Sequence, residues 1–333
     1  MNGCLPMKTA SWANSMKKRA LVCAVLCLLF PFAAQAVTIS LVGDCTIGSI
    51  RYSRGSTRFL NQIAEKGFHY PFMRFAHLFL ADDLTIANCE GTFTSINTPA
   101  NKNKVNLYAP PEWAEVFALG GVDAVNTENN HTFDFGRQGH QDTLASLDTF
   151  GIAHFGGGEL AIMDAGGIKV GLTGYTYPHR TNIDRQVADI AILREAGCDL
   201  IVVSMHWGRE EKLQTTPEQR KLGPQLIDAG ADIVYGHGPH VLQPIEIYNG
   251  KPIFYSLANF TFGANANPKD PDTACVRLEY EKEGEEVKLK SLVVIPARMH
   301  DNKDFRPYPY SLEKDIARVL KKLDMTSPAI VFE

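Results

Sequence analysis

Five strand-length apolar runs in this chain stop at side chains that hold metals, and that repetition constrains the fold more than any other feature of the sequence. Residues 38–42 lead to Asp44, residues 84–87 to Glu90, and residues 122–125 to Asn129, Asn130 and His131. Residues 200–204 lead to His206, and residues 233–235 to Gly236-His237-Gly238-Pro239-His240. In an open α/β sheet the functional crevice lies beyond the carboxyl ends of the strands, so residues this distant in sequence can share one rim. Each has an ordinary reading by itself. An Asp or Asn after a strand is usually a turn residue, and a lone histidine is usually satisfied by the core. Five such endings together point to a site.

Helical stretches alternate with these runs at roughly 57–66, 72–80, 110–119, 138–150, 184–196 and 217–229. Pro110-Pro111 and Pro217 suit helix starts, and Gly120-Gly121 and Gly151 suit helix ends. Strands dominate from Val241 onward, with turn signals at Asn249-Gly250 and Glu283-Gly284, and a charged amphipathic helix over about 312–323 closes the chain. The pattern predicts a layered α/β domain with right-handed crossovers and antiparallel strands added late. Gly156-Gly157-Gly158 lacks both the Lys-Ser/Thr of a phosphate loop and the spacing of a dinucleotide fingerprint, and reads as a turn.

At the N-terminus, Lys17, Lys18 and Arg19 precede an uncharged run ending in Ala34-Gln35-Ala36, the pattern of a secretory signal peptide cleaved after Ala36. The expected division is a leader over 1–36, a domain over 37–300 and an extension with one helix over 301–333. The mature protein is expected to be periplasmic or secreted. Losing the four leader cations takes the formal net charge from −4 to about −8. That balance offers no electrostatic attraction to nucleic acid or to an anionic membrane surface. Cys45, Cys89, Cys198 and Cys275 remain, in a compartment that permits disulfides.

Carboxylates, imidazoles and an amide oxygen form a mixed oxygen and nitrogen set, suited to Mn, Fe or Zn rather than Ca or Cu. Six donors without a thiolate can hold one or two divalent ions with a carboxylate between them. Gly238 and Pro239 make a tight loop that can aim His237 and His240 at one place. His131, next to Asn130, suits protonation of a leaving group.

The stretches GDCTIG, NCEGTF, NNHTFDFG, SMHWGRE, GHGPHVLQPIE and KPIFYSLANF run in this order over nearly the whole mature chain. Through them the chain resembles the capsule-synthesis protein CapA family, also called PgsA-like or poly-γ-glutamate biosynthesis proteins. The fold of that family is similar to that of calcineurin-like metallophosphoesterases. The resemblance implies an α-β-β-α sandwich with a β-rich C-terminal part. It implies Asp44, Glu90 and His240 around one metal, and Glu90, Asn130, His206 and His237 around a second, with Glu90 bridging. His131 would act as acid or transition-state stabiliser, Asp134 would orient it, and Asn129, Trp207 and Arg209 would contact an anionic substrate. Where the phosphoesterases carry Asp-x-His this chain has Asp44-Cys45-Thr46, and Glu90 replaces their bridging Asp. In such a fold Cys45 and Cys89 would be neighbours, as a disulfide or a close thiol pair beneath the site. The expected function is a metal-dependent hydrolase in synthesis, export or processing of an anionic envelope polymer of the poly-γ-glutamate kind, beside membrane-bound polymer-synthesis proteins. Two alternatives are a non-catalytic polymer-binding or export factor and a periplasmic phosphodiesterase or phosphatase.

Overall fold

A computed structural model describes residues 35–50, 57–102, 104–177, 183–301 and 304–332. The expected leader lies outside the described residues up to position 34, and its cleavage point after Ala36 falls just inside the first strand. The chain runs β1 (Gln35–Thr46), α1 (Thr57–Lys66), α2 (Ala76–Phe79), β2 (Leu84–Cys89), α3 (Glu115–Gly120), β3 (Ala124–Asn126), α4 (Gly136–Thr149) and β4 (Ala153–Phe155). The hairpin β5 (Ala161–Ala165) and β6 (Ile168–Thr176) follows, then α5 (Ile183–Glu195), β7 (Leu200–His206), α6 (Pro217–Asp228) and β8 (Ile233–His237). Strands then dominate as expected: β9 (Leu242–Tyr248), β10 (Lys251–Leu257), β11 (Asn259–Phe262), β12 (Asp272–Glu283) and β13 (Glu286–Arg298), before α7 (Glu313–Lys322).

The expected α/β class takes the form of two large sheets. One is ordered β13-β12-β1-β2-β3-β4, with β11 also pairing β1. Its β1 to β4 and β11 pairings are parallel, and β12 and β13 are antiparallel additions. The other is ordered β9-β10-β8-β7-β6-β5, parallel at its centre with an antiparallel pair at each edge.

Strands buried on both faces read as continuous apolar runs, and the alternation of side chains sends successive residues to different cores. Leu41, Ile86, Val202 and Ile233 meet between the two sheets, with Leu172, Phe254 and Val276. Their successors Val42 and Ala87 face an outer cluster with Phe59, Phe72, Phe79 and Phe117 from the α1 to α3 region. Val203 and Val234 face another, with Ile190 and Leu193 of α5 and Leu226 of α6. The helix expected over 72–80 is shorter, because the Phe72–Phe75 segment forms turns that gather Phe72, Phe75 and Phe79 around Phe260.

The C-terminal helix α7 closes one end of the inter-sheet core with Val319 and the following Leu323. Arg318 and Lys322 fix it to buried Asp272 of β12. Among the described residues no helix is long and apolar enough to cross a membrane.

Candidate metal centre

Parallel strands in register set residues at their ends side by side. In the first sheet Asp44 of β1 pairs with Asn88 of β2 and Asn259 of β11, and Asn88 pairs in turn with Asn126 of β3. In the second sheet His206 of β7 pairs with His237 of β8. Except for Asn259, which opens β11, both rows lie at or near carboxyl ends, and the fold turns them towards each other.

Asp44 is fully buried between them. Its Oδ1 lies 3.3 Å from His237 Nδ1 and 3.8 Å from His206 Nδ1. Its Oδ2 lies 3.3 Å from His240 Nδ1 and accepts the backbone N–H of Gly238 at 3.0 Å. Gly238 makes that approach at φ +104, a region open to glycine, and His240 follows at φ +59. Gly43 permits a second close approach, since a Cβ there would stand 1.9 Å from the Ala258 carbonyl oxygen that accepts the Asp44 N–H.

Glu90 follows β2 and is equally buried. Its Oε1 is 3.9 Å from His131 Nε2 and 4.0 Å from His206 Nε2, and its Oε2 is 3.9 Å from His240 Nδ1. Neither oxygen has a hydrogen-bond partner among the described residues. Two groups have donor atoms close enough to share an ion: Asp44 with His206 and His237, and Asp44 with Glu90 and His240. Asp44, rather than the expected Glu90, is common to both, although the two Glu90 oxygens also face opposite sides of the cluster.

The charges of these groups are strongly shifted. For Asp44 burial alone would raise the pKa, but His237 and His240 outweigh it and hold the carboxyl well below the usual range. Burial and the adjacent Asp44 charge push Glu90 up to about 7. Burial opposes protonation of His240, yet Glu90, Asp44 and Asn259 raise it to about 10. Burial keeps His206 well below the ordinary imidazole value. A divalent cation fits this donor set. It would give the orphaned Glu90 oxygens a partner and meet imidazoles already turned inward, with His237 Nε2 occupied by Ser204 Oγ at 2.8 Å so that Nδ1 faces the carboxylate.

His131 stands at the edge of the cluster. Its Nδ1 is 2.7 Å from Asp134 Oδ2, the orienting contact expected for that pair. Burial acts against the imidazolium, but the Asp134 hydrogen bond and the Glu90 charge raise its pKa overall.

The remaining candidates are placed differently. Asn130 is exposed and lies on a neighbouring cavity, and among the described residues no hydrogen bond joins it to the carboxylates or imidazoles. Asn129 is the buried one: its Nδ2 donates to the Cys89 carbonyl and its Oδ1 accepts the His131 N–H, so its amide braces the turn, and the residue also lines that cavity. Trp207 is turned away into the core, where its Nε1 donates to the Tyr255 carbonyl and its ring stacks on Tyr255. Successive side chains of an extended segment point to opposite sides, so the neighbour of inward His206 cannot share its direction. Arg209 is exposed. Cys45 and Cys89 are register partners but carry free, buried thiols, and burial pushes Cys89 up to about 12. Cys198 and Cys275 are buried and free, as expected of core thiols.

The sequence motifs do not single out Asn88, Asn126 and Asn259, yet all three support the cluster. Asn88 Nδ2 donates to Asp44 Oδ1 at 2.8 Å, and its Oδ1 accepts from Asn126 Nδ2 at 2.9 Å. Asn259 Oδ1 is 2.7 Å from His240 Nδ1. The available signal was their position, each at the last residues of an apolar run.

Residues 38–264, which contain all six ligands expected from the sequence, match the family described as bacterial capsule synthesis protein PGA_cap. The PGA biosynthesis protein CapA of Bacillus subtilis (strain 168) is 30% identical over 277 residues, which cover 76% of this chain and 70% of that protein. The capsule biosynthesis protein CapA of Bacillus anthracis is 26% identical over 318 residues, 87% of this chain and 73% of its own. Among solved structures, a hypothetical protein from Thermus thermophilus aligns with 78% of this chain and 99% of its own at 14% identity and a TM-score of 0.45. The extent of the family match, with its strand-end motifs assembled at one buried cluster, makes this chain a member of the bacterial capsule synthesis protein family, PGA_cap.

Proposed function

We propose that this protein is a secreted or periplasmic metal-dependent hydrolase that processes a poly-γ-glutamate-type envelope polymer, built on a metallophosphoesterase-like sandwich. The observation that carries the reading is Glu90. A carboxylate buried beside a second carboxylate, with neither oxygen hydrogen-bonded, is disfavoured as an anion, and a bound cation would relieve that cost. The names of the relatives support the polymer, and the two packed sheets with ligands at their strand ends support the fold.

Asp44, Glu90, His206, His237 and His240 would hold the metal. A divalent ion supplies Lewis acidity there and makes water acidic enough to serve as a nucleophile near neutral pH. Asp44 stays anionic because its histidine neighbours favour that form. Asn88 and Gly238 donate to it and fix its rotamer. Asp134 accepts from His131 Nδ1–H, so a proton on Nε2, the nitrogen 3.9 Å from Glu90, belongs to the imidazolium form of the ring. Its raised pKa keeps that proton in place to be given to a leaving amine or alkoxide.

The test is metal analysis of the purified mature chain, followed by hydrolysis assays on γ-glutamyl polymer and on phosphodiesters with wild type and His131→Ala. The expected result is bound divalent metal, polymer cleavage by the wild type and a loss of about 100-fold or more in the variant. Metal-free protein that binds polymer without cleaving it would instead establish a binding factor, and turnover of phosphodiesters alone would establish a phosphodiesterase.

A further inference from the structure

Beside the His131 turn lies a cavity of about 420 Å³, a size that accommodates a small-molecule group or a segment of a chain. Lys104, Asn106, Asn130, Phe133, Asp134 and Thr176 are among its lining residues, so its walls come from both halves of the fold. Thr176, at the end of β6, is 5% exposed, and its hydroxyl has no hydrogen-bond partner among the described residues. A buried hydroxyl left in that state costs free energy that a ligand able to donate and accept would recover.

Lys104 of that lining is exposed, as is Lys102 two residues before it, and neither ammonium has a carboxylate within ion-pair distance among the described residues. In a chain of formal net charge −4, an uncompensated cation on the lining of a cavity makes a local anion-attracting point. The loop that bears Lys104 is not loosely attached. Ala100 N–H donates to the Asp134 carbonyl at 2.8 Å, Leu107 N–H donates to Asp134 Oδ2 at 2.6 Å, and Asn106 Nδ2 donates to the Asn101 and Lys104 carbonyls. Both ends of the loop are therefore tied to the residue that orients His131.

We propose that this cavity is the subsite for one γ-linked glutamyl unit, with Lys104 taking its free carboxylate and Thr176 its amide. The assignment rests on the hydrolase reading given above and names which residues select the polymer. Each γ-glutamyl unit presents a monoanionic carboxylate and an amide that donates and accepts, joined by methylenes that suit the face of Phe133. The carboxylates of Asp134 and Glu128 also belong to the lining, so the cavity tolerates a monoanion better than a phosphate dianion.

The test is binding of a short synthetic γ-glutamate oligomer to the intact mature protein, measured by calorimetry for wild type, Lys104→Gln, Thr176→Val and Thr176→Ser. Lys104→Gln and Thr176→Val each weaken binding at least five-fold. Thr176→Ser, which keeps the hydroxyl, binds as the wild type does, and bound metal is the same in all four. The Lys104 effect shrinks in high salt, and a γ-linked glutamine oligomer binds the wild type no better than the acidic oligomer binds Lys104→Gln. Wild-type binding that both variants retain in full overturns the subsite and leaves the hydrolase reading intact. A wild type that binds no γ-glutamyl oligomer overturns both. Inorganic phosphate that displaces the oligomer, and itself loses affinity in Lys104→Gln, replaces the glutamyl assignment with a general anion site.

Discussion

At the scale of single residues, Glu90 sets the chemistry of the cluster because it is buried without a hydrogen-bond donor. Burial and the Asp44 charge raise its pKa from 4.5 to about 7. A group protonated more readily in the folded state stabilises that state below its unfolded pKa, and the contribution is lost as the pH rises through about 7. In metal-free protein the loss is on the order of 3 kcal/mol by pH 8. Glu90→Gln, measured with chelator, therefore unfolds like the wild type near pH 4 and is the more stable of the two at pH 8. Added metal reverses that order, since the variant has lost an anionic ligand. Denaturation midpoints across the pH range measure both effects. Asn88 acts through Asp44, donating to Oδ1 while the Asn126 and Asn129 amides hold its other end. Removing a hydrogen-bond partner of a metal ligand typically costs 10–100-fold in affinity. Asn88→Ala is expected to lose metal affinity by that factor in a competition titration, and unchanged affinity would deny it the orienting role.

At the scale of elements, register and alternation do the placing. The pairs Asp44 with Asn88 and His206 with His237 are cross-strand neighbours, and Trp207 is lost to the core because it follows His206 by one residue. Gly43 is the point where β1 touches the turn before β11, and its replacement by Ala drives a methyl into the Ala258 carbonyl. Neither group can move without breaking the Asp44 N–H bond, so Gly43→Ala should destabilise the fold by about 3 kcal/mol or more in urea titration. At the other end, α7 depends on Asp272. Burial would raise the pKa of this carboxyl, but Arg318, Lys322 and Tyr310 lower it from 3.8 to about 2. Because the folded pKa is depressed, the anchor contributes fully above pH 4 and is lost as the pH falls towards 2. Hydrogen exchange in α7 is expected to accelerate over that window in the wild type. In Asp272→Asn it should be fast at every pH.

At the scale of the whole molecule, the proposed ligands are divided between two sheets, Asp44 and Glu90 on one and His206, His237 and His240 on or beyond the other. An ion held between them binds the folded arrangement and not the separated strands. At free metal a thousand times its dissociation constant, the gain is about 4 kcal/mol. Chelation is expected to lower the melting temperature by several degrees, with recovery on re-addition, and a melting curve indifferent to both would contradict the metal reading. Much of this architecture was legible beforehand, because apolar runs buried on both faces and helices started by Pro and ended by Gly are local properties of the chain. The strand-end positions of Asp44, Glu90, His206 and His237 follow from the same patterns. The row Asn259–Asp44–Asn88–Asn126 was not legible, since it exists only through the register of four strands. Nor was the exchange of places between Asn129 and Asn130, because one residue of turn geometry decides which of two identical amides is buried. Lys104 and Thr176 lie more than seventy residues apart and face one cavity only because a surface loop is tied to Asp134. The sequence by itself therefore determined the elements and the kinds of donor at their ends, since these depend on periodicity and side-chain chemistry. Tertiary structure alone decided which donors converge, because convergence depends on strand register and on how two sheets pack across a common core.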